Sequence, residues 1–100
     1  MKRELARIRV GIDAVDNGLV RLLARRRALA LRLARVKAGL DMPIYDRVRE
    51  EALFKRVKAW GAGRGLDAEF VEVLFRLIVM NSKEVQYHEN LGQGARRRRV

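Results

Sequence analysis

The first third of the chain has no proline and repeats its apolar residues at helical spacing. These residues follow one another in steps of three, four or seven, and no period-two alternation competes with that pattern. The segment from about Arg3 to about Ala38, taken as one helix, is roughly 54 Å long. Because a compact chain of 100 residues is narrower than that, something must lie along this helix. Its apolar positions are Leu5, Ile8, Ile12, Val15, Leu19, Leu22, Leu29 and Val36.

Two further helices are predicted after the first. The sequence AGLDMP, which contains the only proline, ends the first helix. A second helix begins near Asp46 and ends in the sequence GAGRG at residues 61–65. The third begins after Asp67, a favourable N-cap, and continues to about Tyr87 or beyond. The pattern therefore predicts an all-α chain with a long, a short and a medium helix, and it offers no strand candidate.

The end of the chain differs in composition from the rest. Residues 92–100 include four consecutive arginines behind the sequence GQG. Chain termini are commonly disordered, so we expect residues 1–91 to form one helical domain and residues 92–100 a disordered basic tail.

The charge of the chain indicates an anionic partner. The net charge is +11, from 23 basic and 12 acidic residues, and the domain stays strongly basic without the arginine run. Either nucleic acid or a small acidic metabolite fits such a charge, which does not choose between them. The apolar content of 49% argues against a disordered chain.

Several kinds of chemistry are excluded by composition. The chain has no cysteine and only one histidine, His88, so thiolate metal sites, histidine metal clusters and a serine–histidine triad are not expected. The first ten residues lack the unbroken apolar run of a signal peptide, and no segment approaches membrane-spanning length. We therefore expect a soluble, cytoplasmic protein without a metal site or membrane contact.

Basic residues of the first helix are spaced to meet a small anion. Arg26 and Lys37 are eleven residues apart, so they face nearly the same way about 16 Å apart along the axis. Their long side chains could hold a small dianion from both ends. Arg9 lies seventeen residues before Arg26, about 25 Å away and on another face. Arg9 cannot reach the same ligand in its own subunit if the helix is straight, but an antiparallel partner helix could bring it there.

Polar residues of the other helices also share faces. Asp46, Arg49 and Glu50 stand at i, i+3 and i+4, and Ser82 and Gln86 at i and i+4. Each set has a structural alternative: an N-cap with a first-turn ion pair for the first set, and simple exposure for the second. Taken singly these alternatives suffice, but they leave the order of the polar residues along the chain unexplained.

That order resembles the all-helical, AroQ-type chorismate mutase family. The segments IRVGIDAVDNGLVRLLARRRALALRLARVKAG, PIYDRVREEAL and GLDAEFVEVLFRLIVMNSKEVQ carry the resemblance, which runs from about Leu5 to Gln86. It includes Ile12, Asp13 and Asp16, and the double arginine Arg26–Arg27. The resemblance implies an intertwined homodimer in which the long first helices cross and each active site takes one arginine from the neighbouring subunit.

The resemblance also implies roles for the residues that bind and activate the substrate. Arg26 and, from the partner chain, Arg9 match the arginines that bind the carboxylates of chorismate, for which the planar guanidinium is suited. Lys37 and Gln86 match the two residues that donate hydrogen bonds to the ether oxygen.

Further roles follow from the resemblance for the remaining polar residues. Glu50 matches the acceptor for the ring hydroxyl, with Asp46 beside it. Arg49 and Ser82 match positions that line the pocket, and we expect Arg49 to keep the neighbouring carboxylates ionised.

The function implied is the isomerisation of chorismate to prephenate for phenylalanine and tyrosine biosynthesis. The reaction is an intramolecular rearrangement that needs no nucleophile, metal or redox cofactor, so no cofactor is expected. The sequence shows no dehydratase, dehydrogenase or synthase segment, which predicts a monofunctional enzyme. An association with another enzyme of the shikimate pathway stays open.

Three rival interpretations remain. Isochorismate pyruvate lyase shares the fold, but the Asp46, Arg49 and Glu50 group is more typical of mutases. A helical nucleic-acid-binding protein would suit the charge and the arginine tail, yet many basic residues lie between apolar positions and no aromatic-rich surface is visible. A purely structural dimer leaves the order of the polar residues unexplained.

Overall fold

The structure is a computed structural model that describes the backbone of residues 1–99 and the side chains of residues 1–92. Within residues 1–99 the chain forms the helices α1 (Lys2–Gly39), α2 (Arg47–Ala62) and α3 (Ala68–Arg99), with no strand. The predicted all-α class is confirmed. The predicted disordered tail, residues 92–100, falls almost wholly outside the part whose side chains are described, and it stays a prediction.

Aspartates cap the N-termini of α2 and α3. The Asp46 side chain accepts a hydrogen bond from the backbone N–H of Arg49 at 3.0 Å, and the Asp67 side chain accepts one from the N–H of Phe70 at 3.1 Å. Each cap satisfies a backbone donor that the first turn of a helix leaves without a partner. Both helix starts are therefore determined locally, as the sequence predicts.

A tight turn joins α1 to α2 and holds the end of α1. The backbone N–H groups of Leu40 and Met42 both donate to the carbonyl of Lys37, at 3.2 and 2.8 Å. Asp41 adopts a left-handed φ of 54°, which lets the chain reverse there. Glycine is a common residue at this point of a helix, but Gly39 is still helical and Leu40 is the C-cap.

Helix α3 packs against both α1 and α2, whereas within the described residues no Cα atom of α1 lies within 8 Å of a Cα atom of α2. Arg35 of α1 and Glu89 of α3 form an ion pair of 2.8 Å that joins the C-terminal part of α1 to α3. The buried apolar core of the described residues is small and lies where α3 packs against α1 and α2. It consists of Ala30, Ala34, Ile44, Val57, Val71 and Val79.

The N-terminal half of α1 extends beyond this core. Every residue from 1 to 17 is exposed, and the molecule measures 65 Å along its longest axis but only 15 Å along its shortest. Apolar side chains of the helical stripe are more than half exposed there, for example Ile12 at 54% and Val15 at 63%. None of the helices, over the described residues, has the length and hydrophobicity of a transmembrane span. A long apolar stripe of this kind indicates an interaction surface.

Helix α2 lies close to α3 at Gly61. A Cβ atom at this buried position would lie 2.8 Å from Cγ2 of Val71. We expect Gly61→Ala to lower the free energy of unfolding by about 1–3 kcal/mol, because Val71 or the helix would have to shift. Urea denaturation followed by circular dichroism measures the change.

Gly63 provides the matched control for this prediction. A Cβ atom there would lie 3.6 Å from its nearest neighbour, an ordinary van der Waals distance. Gly63→Ala should leave the stability unchanged or raise it slightly, and Val71→Ala should relieve part of the effect of Gly61→Ala. A Gly61→Ala protein as stable as the Gly63→Ala protein would contradict the close approach of the two helices.

Candidate active site

A cleft of about 250 Å³ lies between the C-terminal half of α1, the start of α2 and the second half of α3. Its size is slightly below that of ordinary small-molecule pockets, which begin at about 300 Å³. Apolar side chains such as Leu29, Leu33 and Val79 line part of its wall. Seven of the eight predicted site residues line it: Arg26 and Lys37 from α1, Asp46, Arg49 and Glu50 from the start of α2, and Ser82 and Gln86 from α3.

Two arginines supply positive charge to the cleft without a counterion among the described residues. Burial and the nearby Arg49 guanidinium lower the pKa of Arg26 below its ordinary value, although an arginine still carries its charge at neutral pH. Within the described part of the chain, neither Arg26 nor Arg49 forms an ion pair with a carboxylate. Two guanidinium groups that lack an anion in one cleft are suited to bind a carboxylate ligand.

Lys37 is a buried ammonium group held by the turn after α1. Its Nζ donates a hydrogen bond of 3.0 Å to the carbonyl of Ile44, in the segment between α1 and α2. The residue is only 9% exposed. Because an ammonium group has three hydrogens, two remain for a ligand in the cleft. The turn between α1 and α2 therefore positions a strong hydrogen-bond donor.

The Gln86 amide is positioned by Ser82, one turn earlier on α3. Nε2 donates to the backbone carbonyl of Ser82 at 3.3 Å and lies 3.5 Å from its hydroxyl oxygen. The alternative that both residues are simply exposed is wrong, since Gln86 is 5% exposed and Ser82 is half-buried. Nε2 carries a second hydrogen that can be donated to a ligand.

Glu50 has one occupied and one unoccupied carboxylate oxygen. Its Oε1 accepts a hydrogen bond from Nζ of Lys83 at 3.2 Å. Its Oε2 is buried and has no hydrogen-bond partner among the described residues. A buried acceptor without a donor is costly, so Oε2 is a natural site for a donor on a ligand. Asp46, by contrast, uses its side chain to cap α2. This is the N-cap role that the sequence offered as the structural alternative to a binding role.

Lys83 was missed by the sequence analysis. It lines the cleft and forms an ion pair of 3.2 Å with Glu50; among the described residues, Arg49, the expected partner, forms none with that carboxylate. Its Nζ also lies 5.0 Å from the centre of the Tyr45 ring. The available signal was its spacing: Lys83 stands three residues before Gln86 and therefore shares a helical face with it.

Arg9 is the one predicted site residue that the structure does not bring to the cleft. It lies on the exposed N-terminal half of α1, about 25 Å along the helix axis from Arg26. A contribution of Arg9 to a cleft would therefore need a second copy of the chain.

Comparisons with a family model and with known proteins indicate the same family. The family model described as chorismate mutase type II matches residues 8–87. Over 86 residues the chain is 31% identical to the chorismate mutase of Methanocaldococcus jannaschii, which covers 86% of this chain and 87% of that protein. Over 85 residues it is 31% identical to a 4-amino-4-deoxychorismate mutase of Streptomyces venezuelae, covering 85% of this chain and 82% of that protein.

Some relatives are much longer than this chain. Over 78 residues the chain is 40% identical to a bifunctional chorismate mutase/prephenate dehydratase of Enterobacter agglomerans. That similarity covers 78% of this chain but only 20% of the relative. The match at residues 8–87 nevertheless includes every polar residue of the cleft as well as Arg9. The chain belongs to the chorismate mutase type II family.

Proposed function

We propose that this chain converts chorismate to prephenate. The observation that carries the proposal is the cleft itself, which combines two positioned donors with guanidinium groups that have no carboxylate partner, and a carboxylate oxygen that has no donor, in the described part of the chain. Chorismate presents complementary groups: two carboxylates, an ether oxygen and a ring hydroxyl. The membership of the chain in the chorismate mutase type II family supports the same assignment.

In the proposed mechanism the substrate reacts without forming a covalent bond to the enzyme. The carbon–oxygen bond of the ether breaks while a carbon–carbon bond forms in the same molecule, and negative charge grows on the ether oxygen. Arg26 binds a carboxylate and restricts the flexible substrate to its compact reactive conformer. Lys37 and Gln86 donate hydrogen bonds that strengthen as charge develops, which is how they lower the barrier.

We further propose that the active form is an antiparallel homodimer in which Arg9 of each chain completes the cleft of its partner. The exposed apolar stripe of α1 supports this, as does the distance of Arg9 from the cleft of its own chain. Antiparallel helices place the partner's Arg9 beside Arg26 if they cross midway between those residues, near Gly18. A side chain is missing at that position, so the helices can approach closely.

The metabolic context forms part of the proposal. A role in phenylalanine and tyrosine biosynthesis fits the bifunctional relatives, whose names join chorismate mutase to prephenate dehydratase. We propose a cytoplasmic location for this step. An association with another enzyme of the shikimate pathway remains compatible with the exposed surfaces described above.

A spectrophotometric assay tests the proposed reaction. The purified protein should consume chorismate and accumulate prephenate without releasing pyruvate. Release of pyruvate from isochorismate, with no consumption of chorismate, would identify the lyase instead. Strong duplex binding that weakens with salt, with no turnover of either compound, would identify a nucleic-acid-binding protein.

The role of Gln86 predicts a change in pH dependence. An amide donates a hydrogen bond at any pH, whereas a carboxyl group donates only when it is protonated. In Gln86→Glu, kcat should therefore be highest at acid pH and fall as the introduced carboxyl ionises, from about pH 4–5 upward. Desolvation at this buried position would move the fall to higher pH.

Gln86→Met is the matched control for this prediction. It has a similar length but no donor, so its activity should be low at every pH and should not recover in acid. A Gln86→Glu profile that overlays that of the unaltered protein would contradict the assigned role.

The ring substituent of the substrate is a separate question. The Streptomyces relative is named for a substrate that carries an amino group in place of the chorismate hydroxyl. In the proposed binding mode this substituent donates to Glu50. The surroundings of Glu50 therefore bear on the choice between hydroxyl and amine.

A further inference from the structure

Lys83 is held between an aromatic ring and a carboxylate at the edge of the cleft. Its Nζ lies 3.2 Å from Oε1 of Glu50 and 5.0 Å from the centre of the Tyr45 ring. The side chains of Lys83 and Glu50 are 32% and 20% exposed, so water screens the pair only in part. Both contacts favour a fixed position of the ammonium group beside Glu50.

This contact divides the Glu50 carboxylate into two differently used oxygens. Lys83 occupies Oε1, while Oε2 faces no donor among the residues that the structure describes. A ligand donor placed on Oε2 would therefore meet a carboxylate whose charge is already partly neutralised. Lys83 is not among the residues to which the resemblance to chorismate mutases gave a role in the sequence analysis.

We propose that Lys83 determines the specificity of the cleft for a hydroxyl over an amine at the ring position that contacts Glu50. This inference rests on the proposed function, because it takes Glu50 as the acceptor for that substituent. It assigns chorismate as the preferred substrate and 4-amino-4-deoxychorismate as the disfavoured one. Lys83 acts here through the charge that it places on the other side of the acceptor.

The physical basis is the different charge of the two substituents. A hydroxyl is neutral at pH 7 and needs only a lone pair of Oε2, which the ion pair with Lys83 leaves available. An aliphatic amine is protonated at pH 7, so it would place a second ammonium group on the same carboxylate. One negative charge would then lie between two positive charges that repel each other.

Other charged groups of the cleft serve the parts that the two compounds have in common. Arg26, Lys37 and Arg49 also line it, while the carboxylate of Asp46 accepts from the backbone at the start of α2. These groups suit the two carboxylates that both compounds share, and they do not distinguish one compound from the other. Glu50 is the acceptor at which the two compounds would differ, so its pairing with Lys83 controls the discrimination.

Steady-state kinetics with both compounds tests the proposal. The unaltered protein should have a higher kcat/KM for chorismate than for 4-amino-4-deoxychorismate. In Lys83→Met and Lys83→Gln the ratio of the two kcat/KM values should fall about tenfold or more, because Glu50 then offers its full charge to the amine. Lys83→Arg keeps the ion pair and should keep most of the preference.

Lys58 provides a matched control. It forms a similar lysine–glutamate pair between α2 and α3, with Glu72 at 2.9 Å, but does not line the cleft. Lys58→Met should change neither kcat/KM nor the ratio between the compounds, which separates specificity from a general loss of helix pairing. Thermal unfolding of each variant establishes that the folded protein is being compared.

The outcomes separate this inference from the proposed function. If the unaltered protein turns over neither compound, the proposed function fails and the role of Lys83 fails with it. If it turns over chorismate but both neutral variants keep the original ratio, only the role of Lys83 is overturned. An unaltered protein that prefers the amino compound would also overturn it. A shift in the ratio confined to the Lys83 variants, restored by Lys83→Arg, would support it.

Discussion

Replacing Lys37 with alanine is expected to reduce kcat for chorismate by about 100- to 1000-fold, the usual effect of removing one donor to a developing oxyanion. The ammonium group is buried, and its contact with the Ile44 carbonyl leaves two hydrogens for the ether oxygen. In the proposed mechanism its charge stabilises the transition state more than the ground state, so KM should change much less than kcat. Initial rates of chorismate loss over a range of concentrations measure both constants.

The same substitution also has a structural effect that must be measured separately. Without Lys37 the carbonyl of Ile44 loses its donor, which costs about 1–3 kcal/mol of stability if no water replaces it. Thermal unfolding gives the folded fraction, to which kcat is then normalised. Lys37→Gln keeps a neutral donor and should retain more activity than Lys37→Ala.

Lys55 provides the control for a lost lysine. It is an exposed residue of α2 that does not line the cleft, so Lys55→Ala should leave kcat unchanged. A folded Lys37→Ala protein with the kcat of the unaltered chain would contradict the assignment of Lys37 to the ether oxygen.

The helices themselves could be predicted from the sequence because their signals are local. The apolar stripe requires only residues three or four apart, and the caps at Asp46 and Asp67 require only the next turn. The exact end of α1 could not be predicted, because it depends on the left-handed conformation of Asp41 and on amides that return to Lys37. The need for glycine at position 61 likewise arises from the packing of α2 against Val71 of the next helix.

The composition of the cleft could be predicted only in part for a related reason. Resemblance to a family supplied the positions of Lys37 and Gln86, and the structure places both in the cleft. The pairing of Lys83 with Glu50 joins residues 33 positions apart, so it depends on the register between α2 and α3. The spacing of residues within a single helix carries no information about the register between two helices. The expected neighbour of Glu50 was therefore Arg49, one residue away in sequence.

Arg9→Ala and Arg26→Ala are each expected to reduce kcat/KM by about 100-fold, since in the proposed dimer each removes charge-assisted hydrogen bonds to a substrate carboxylate. The two residues are about 25 Å apart along one helix, so they serve the same substrate only if they come from different chains. Arg7→Ala changes another exposed arginine of the same segment and should have little effect.

Mixed dimers decide whether the cleft is shared between subunits. In a dimer of one Arg9→Ala chain and one Arg26→Ala chain, one cleft receives both altered residues and the other receives neither. If the chains are unfolded together in equal amounts and refolded, random pairing should restore about one quarter of the original activity. A chain carrying both substitutions, mixed with either single variant, should restore none, since no cleft is then intact. If Arg9 acted within its own chain, no mixture would contain an intact cleft, and the absence of any rescue would overturn the shared site.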